Sequence, residues 1–89
     1  MAVITKKLVV NNKQGLHARP AALFVQVANK FDSRVTVKKE RDNEEVNGKS
    51  IMGILMLGAE KGSTIVIEVE GADAHLAIIE LEKIVSREE

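Results

Sequence analysis

The apolar residues of this chain change period from one segment to the next, and that switching restricts the fold more than anything else in the sequence. Leu8 and Val10 alternate with Lys7 and Val9, which predicts a first strand ending at the loop Asn11-Asn12-Lys13-Gln14-Gly15. From His17 to Lys30 the spacing lengthens, and Ala21, Phe24, Val25 and Ala28 fall on one face of an amphipathic helix. Pro20 fits that helix only in its first turn, where a missing N–H leaves no bond unmade, so the helix starts near His17. Val35 and Val37 predict a second strand with one buried face. Val46-Asn47-Gly48 closes a short third strand, and a short helix runs from Ser50 to about Leu57. After the turn Gly58-Ala59-Glu60-Lys61-Gly62, a fourth strand sets Ile65, Ile67 and Val69 against Thr64, Val66 and Glu68. Gly71-Ala72-Asp73 starts a last helix with Ala74, Ala77, Ile78, Leu81, Ile84 and Val85 on its apolar face. The order is β-α-β-β-α-β-α. Strands that are apolar on one side and mostly polar on the other predict an α+β fold, an antiparallel sheet with all helices on one face.

Composition narrows the function. With 89 residues, 45% of them hydrophobic, the expectation is one domain over 1–89 with a single thin core. Thirteen basic and thirteen acidic residues cancel, and there is no Tyr or Trp for base stacking, which argues against nucleic acid. The absence of cysteine rules out disulfides and thiolate metal sites and fits a reducing cytoplasm. No apolar run approaches the ~18–20 residues that cross a bilayer, so membrane insertion is not expected. The opening Met1-Ala2-Val3-Ile4-Thr5-Lys6-Lys7 lacks signal-peptide architecture. The mixed-sign run Lys38 to Glu45 reads as a solvated hairpin end.

Chemistry concentrates in Gly15-Leu16-His17-Ala18-Arg19-Pro20-Ala21-Ala22, where a loop becomes a helix. A helix start offers unpartnered N–H groups and partial positive charge, a natural cradle for a phosphoryl group. The same field disfavours an imidazolium, which favours the neutral ring that attacks phosphorus. Arg19 adds a fork of donors suited to phosphate oxygens. Phosphoryl transfer rests mostly on positioning and charge stabilisation, so this set needs no metal. As a bare string the octet also fits two ordinary polar residues at a helix start. The other histidine, His75, lies off the apolar stripe of its helix and reads as solvated; the pair shows no metal-ligand spacing. Ser50 stands at a helix N-cap, where its hydroxyl caps an orphan N–H. Met52 and Leu55 either face outward beside Ile51 as a small docking patch or belong to the core.

Gly15-Leu16-His17-Ala18-Arg19-Pro20-Ala21, with Lys49-Ser50-Ile51-Met52-Gly53-Ile54-Leu55 and Leu57-Gly58, closely resembles HPr, the histidine-containing phosphocarrier family of the bacterial phosphoenolpyruvate-dependent phosphotransferase system. The resemblance spans nearly the whole chain. It implies an open-faced β-sandwich, a four-stranded antiparallel sheet in order 1-4-2-3 with three helices on one face. It implies that His17 accepts a phosphoryl group at Nδ1 from phosphorylated Enzyme I and passes it to an Enzyme IIA domain, with Arg19 assisting. Ser50 matches the serine phosphorylated by HPr kinase/phosphorylase. The resemblance also implies transfer without a bound cofactor, with the group carried within a relay rather than by an autonomous catalyst, and a monomer is the default for such a carrier. Two departures stand out. The stretch around Lys39 to Glu45 is about two residues longer than in sugar-branch members, which a hairpin end absorbs. Ile54-Leu55-Met56-Leu57 resembles members that regulate nitrogen or carbon metabolism, which leaves a regulatory, interaction-based role as the alternative. A related regulatory branch replaces the histidine, and His17 argues against it. A small hydrolase is a further rival, but no carboxylate accompanies His17 and Arg19 to activate water.

Overall fold

Three helices, α1 (Ala18–Ala28), α2 (Ile51–Leu57) and α3 (Ala74–Val85), are interleaved with four strands. Strand β1 (Val3–Val9) pairs antiparallel with β4 (Thr64–Glu70), which pairs antiparallel with β2 (Arg34–Lys39). The two-residue β3 (Val46–Asn47) closes the far side of β2. The sheet order is therefore β1-β4-β2-β3, in a computed structural model that describes residues 2–88. Both the element order and the sheet order match the expectation from sequence.

Register explains why one sheet face is dry. Leu8 lies opposite Ile65, Val37 opposite Ile67 and Val35 opposite Val69, and all six side chains are buried. Side chains alternate across a strand, so Thr5, Lys7, Thr36, Lys38, Val66 and Glu68 occupy the other face, half-buried or exposed. Lys6 shares the inner face but sits on the edge strand, and its ammonium reaches Glu82 of α3 at 2.5 Å. The apolar stripe of α3 is buried in full, and α1 contributes Ala21, Phe24 and Ala28. These residues join the strands in one cluster, with Val25 half-buried against it. Burying a side chain such as Phe24 stabilises the fold by roughly 1.5–3 kcal/mol.

Helix ends differ from the sequence reading where side chains intervene. Helix α1 stops at Ala28, short of Lys30, because the Asn29 amide donates to Val25 O at 2.8 Å and to Lys49 O at 3.0 Å. Asp73 stands at the cap position of α3 yet caps nothing there. Its carboxylate instead accepts from the N–H of Asp32 at 2.9 Å, the N–H of Ser33 at 3.0 Å and the Ser33 hydroxyl. Those donors favour the ionised form, and the Ser33 hydroxyl is the foremost cause holding Asp73 below the usual carboxylate range. The contact ties the α1–β2 turn to the β4–α3 turn.

Candidate functional site

The loop between β1 and α1 is fastened at both ends. At its start, Asn11 donates its N–H to Val85 O and its amide to Ser86 O, both at 3.0 Å. The Asn12 amide donates to Ile84 O at 2.9 Å and to Arg87 O at 3.0 Å. An α-helix leaves its last carbonyls without internal partners. Two neighbouring asparagines satisfy a consecutive run of them, from Ile84 to Arg87, and so cap α3 while anchoring the loop. At the other end, the Leu16 N–H donates to Ala59 O at 2.9 Å. Gly15 has φ +78°, and a Cβ there would collide with the Ala59 carbonyl oxygen, so only glycine lets the loop lie this close.

Those anchors deliver His17 to the N-cap of α1 in extended backbone (φ −141°, ψ 162°), with its N–H on Gly15 O at 2.9 Å. Its ring is exposed and caps nothing, which leaves the ring nitrogens available to a partner. Ala18 follows with φ +51°, the only non-glycine residue with positive φ among the described residues. An L-residue in that region costs about 1–2 kcal/mol, so the backbone is strained one bond past the histidine. Arg19 is exposed, and Pro20 falls within the first turn, as its missing N–H requires. No acidic side chain occupies that turn to oppose an incoming anion.

Helix α2 lies beside this loop, since Ala59, the loop's anchor, follows it by two residues. At its start Ser50 Oγ accepts from the Gly53 N–H at 3.1 Å, the capping bond expected from sequence. Met52 is 63% exposed and Ile51 41%. Leu55 is only half-buried and packs on the core, whereas Met56, which the sequence reading passed over, is 77% exposed. The signal for it was present: Met52 and Met56 are four residues apart and so share a helix face. The exposed apolar surface of α2 is thus Ile51, Met52 and Met56. His75 is exposed as expected, in the first turn of α3, ~15 Å along the axis from the end that the asparagines hold. No described helix is long and apolar enough to cross a membrane.

An exposed imidazole at a strained helix entrance, two residues before a guanidinium, is chemically suited to accept a phosphoryl group. Comparison with known families decides the lineage: residues 4–87 match the model of the PTS HPr component phosphorylation site. The chain belongs to the HPr family. Among its relatives is the HPr-like protein Crh of Halalkalibacterium halodurans, 44% identical over 97% of this chain and 100% of that protein. The crystal structure of the phosphocarrier protein HPr from Bacillus anthracis superposes with a TM-score of 0.89 and 47% identity, covering 96% of this chain and 99% of that one. Crh of Bacillus subtilis, crystallised as a dimer with a swapped domain, gives a TM-score of 0.73 at 42% identity, covering 96% and 95%. The open-faced sandwich is the HPr fold, that of a phosphocarrier family of the phosphotransferase system.

Proposed function

We propose that His17 is the phosphoryl acceptor, taking the group from phosphorylated Enzyme I and passing it to an Enzyme IIA domain. Nδ1 of the neutral ring attacks phosphorus, one P–N bond forms as the donor's bond to phosphorus breaks, and the second transfer reverses these roles. Arg19 balances the negative charge on the transferring oxygens, and Pro20 fixes the first turn that presents them. Ile51, Met52 and Leu55, joined by Met56, form the docking face, where unbranched methionines suit several partners. Ser50 is the regulatory site for HPr kinase/phosphorylase; a phosphate there adds about two negative charges beside the docking face. The whole of 1–89 acts as one HPr-like domain, as a cytoplasmic monomer. The observation that carries this reading is the exposed, uncapped ring of His17 at the head of α1.

Incubation with Enzyme I and phosphoenolpyruvate tests it. The expected product carries one acid-labile, alkali-stable phosphate, absent in His17→Ala, and loses it when an Enzyme IIA domain is added. No uptake by the wild-type protein would reject the reading. Ile54-Leu55-Met56-Leu57 and the similarity to an HPr-like protein support a second one, a nitrogen- or carbon-regulatory branch member acting mainly through protein–protein contacts around Ser50. Under that reading His17→Ala leaves partner binding intact while Met52→Glu abolishes it.

A further inference from the structure

Between the head of α1 and the tail of α3 lies a small cleft of about 150 Å³, lined by Asn12, Arg19, Pro20, Leu23, Ile84 and Arg87. Its only charged lining residues are the two arginines, and neither is in an ion pair among the described residues. Arg19 is two residues from His17. Arg87 is seventy residues beyond His17, yet it is pinned to the same loop, because its carbonyl accepts from the Asn12 amide at 3.0 Å. Asn12 is 1% exposed and carries the only buried side-chain polar atom without a partner among the described residues, its Oδ1. The amide cannot be turned round to relieve this, since its nitrogen already donates to two carbonyls, Ile84 O and Arg87 O. A buried acceptor without a donor is unfavourable, and the only side-chain N–H donors lining the cleft beside it are the two guanidiniums.

We infer that Arg87 is a second phosphoryl-binding guanidinium, facing Arg19 across this cleft, and that on loading of His17 it turns one N–H to the unpartnered Asn12 Oδ1. The inference rests on His17 being the phosphoryl acceptor. A phosphoryl group brings about two negative charges at neutral pH, and one guanidinium balances only one of them. A guanidinium has five donors in a fixed plane, so Arg87 can give one to the amide and keep others for phosphate oxygens. Arg87 then serves as a stabiliser of the phosphorylated form, supplied from the opposite end of the chain.

The test uses the full chain loaded by Enzyme I and phosphoenolpyruvate. NMR follows the Nε–H resonances of both arginines before and after loading. The Arg87 resonance is expected to move on phosphorylation, and to stay fixed in His17→Ala given the same treatment. Because the Arg87 side chain is exposed, Arg87→Ala should melt at the wild-type temperature. It should also slow loading of His17 by about fivefold, the scale of one partly exposed charge-assisted hydrogen bond, with partial recovery in Arg87→Lys. A loaded His17 with an unmoved Arg87 resonance and an unchanged rate in Arg87→Ala would overturn this inference alone. A His17 that never loads overturns both it and the carrier reading.

Discussion

At the scale of a single residue, Ala18 has the most unusual backbone of the described non-glycine residues. Its φ of +51° places an alanine where glycine is at ease, directly after the histidine. In an ordinary helix interior, alanine to glycine costs about 1 kcal/mol. Here relief of the left-handed strain offsets that cost, so Ala18→Gly should be neutral or slightly stabilising in urea unfolding; a loss of about 1 kcal/mol would show that the strain is not there. Asp73 offers a pH-dependent counterpart. Its carboxyl is held below the usual range by the Ser33 hydroxyl and the neighbouring N–H groups, so the folded state binds a proton less readily than the unfolded chain. Its stabilisation is fully present above the unfolded carboxyl's range near 4 and is lost as pH falls through the lower folded value. Melting temperatures of the wild type and Asp73→Asn should therefore differ most near neutral pH and converge as acid protonates the folded carboxyl, below the unfolded range. A gap that stays constant with pH would rule out this contact as the cause.

Elements differ in how well their roles could be read in advance. The stripe of α3 was fully legible, since a 3.6-residue period buried against a sheet leaves few alternatives. Helix α2 was not, because seven residues make barely two turns and outward and inward faces merge at Leu55. The loop clamp was hidden as well: Asn11-Asn12 reads as punctuation after a strand, and nothing local announces that its amides reach carbonyls more than seventy residues away. Removing one of those donors should be expensive. Asn12→Ala uncaps α3 and frees the loop, a loss of about 1–3 kcal/mol by chemical denaturation; a cost below 0.5 kcal/mol would contradict the clamp. On α2, Ser50→Asp sets charge beside the exposed methionines while keeping a capping oxygen. It should slow loading of His17 with little change in melting temperature, and equal loading rates would reject a regulatory role through docking.

At the scale of the whole molecule, a thin, nearly aromatic-free core supports the corner that exposes His17. One cluster spans both layers, with Phe24 of α1 fully buried in it. Phe24→Ala should cost about 3–5 kcal/mol, enough to unfold much of a small domain at 37 °C, and a cost under 1 kcal/mol would refute this view of the core. Around that core, the termini of all three helices meet the His17 loop or its anchors. The head of α1 carries the ring, α2 ends two residues before Ala59, and α3 ends under Asn11 and Asn12. The layers and the strand alternation were legible from local period, while the convergence on one corner was not, because it depends on tertiary hydrogen bonds. The central claim is that this corner carries a phosphoryl group on one particular ring. NMR of the protein labelled with nitrogen-15 at histidine, loaded by Enzyme I and phosphoenolpyruvate, tests it most directly. The expected result is phosphorus coupling at Nδ1 of His17 with the His75 signals unmoved; coupling at His75, or at neither ring, would contradict it.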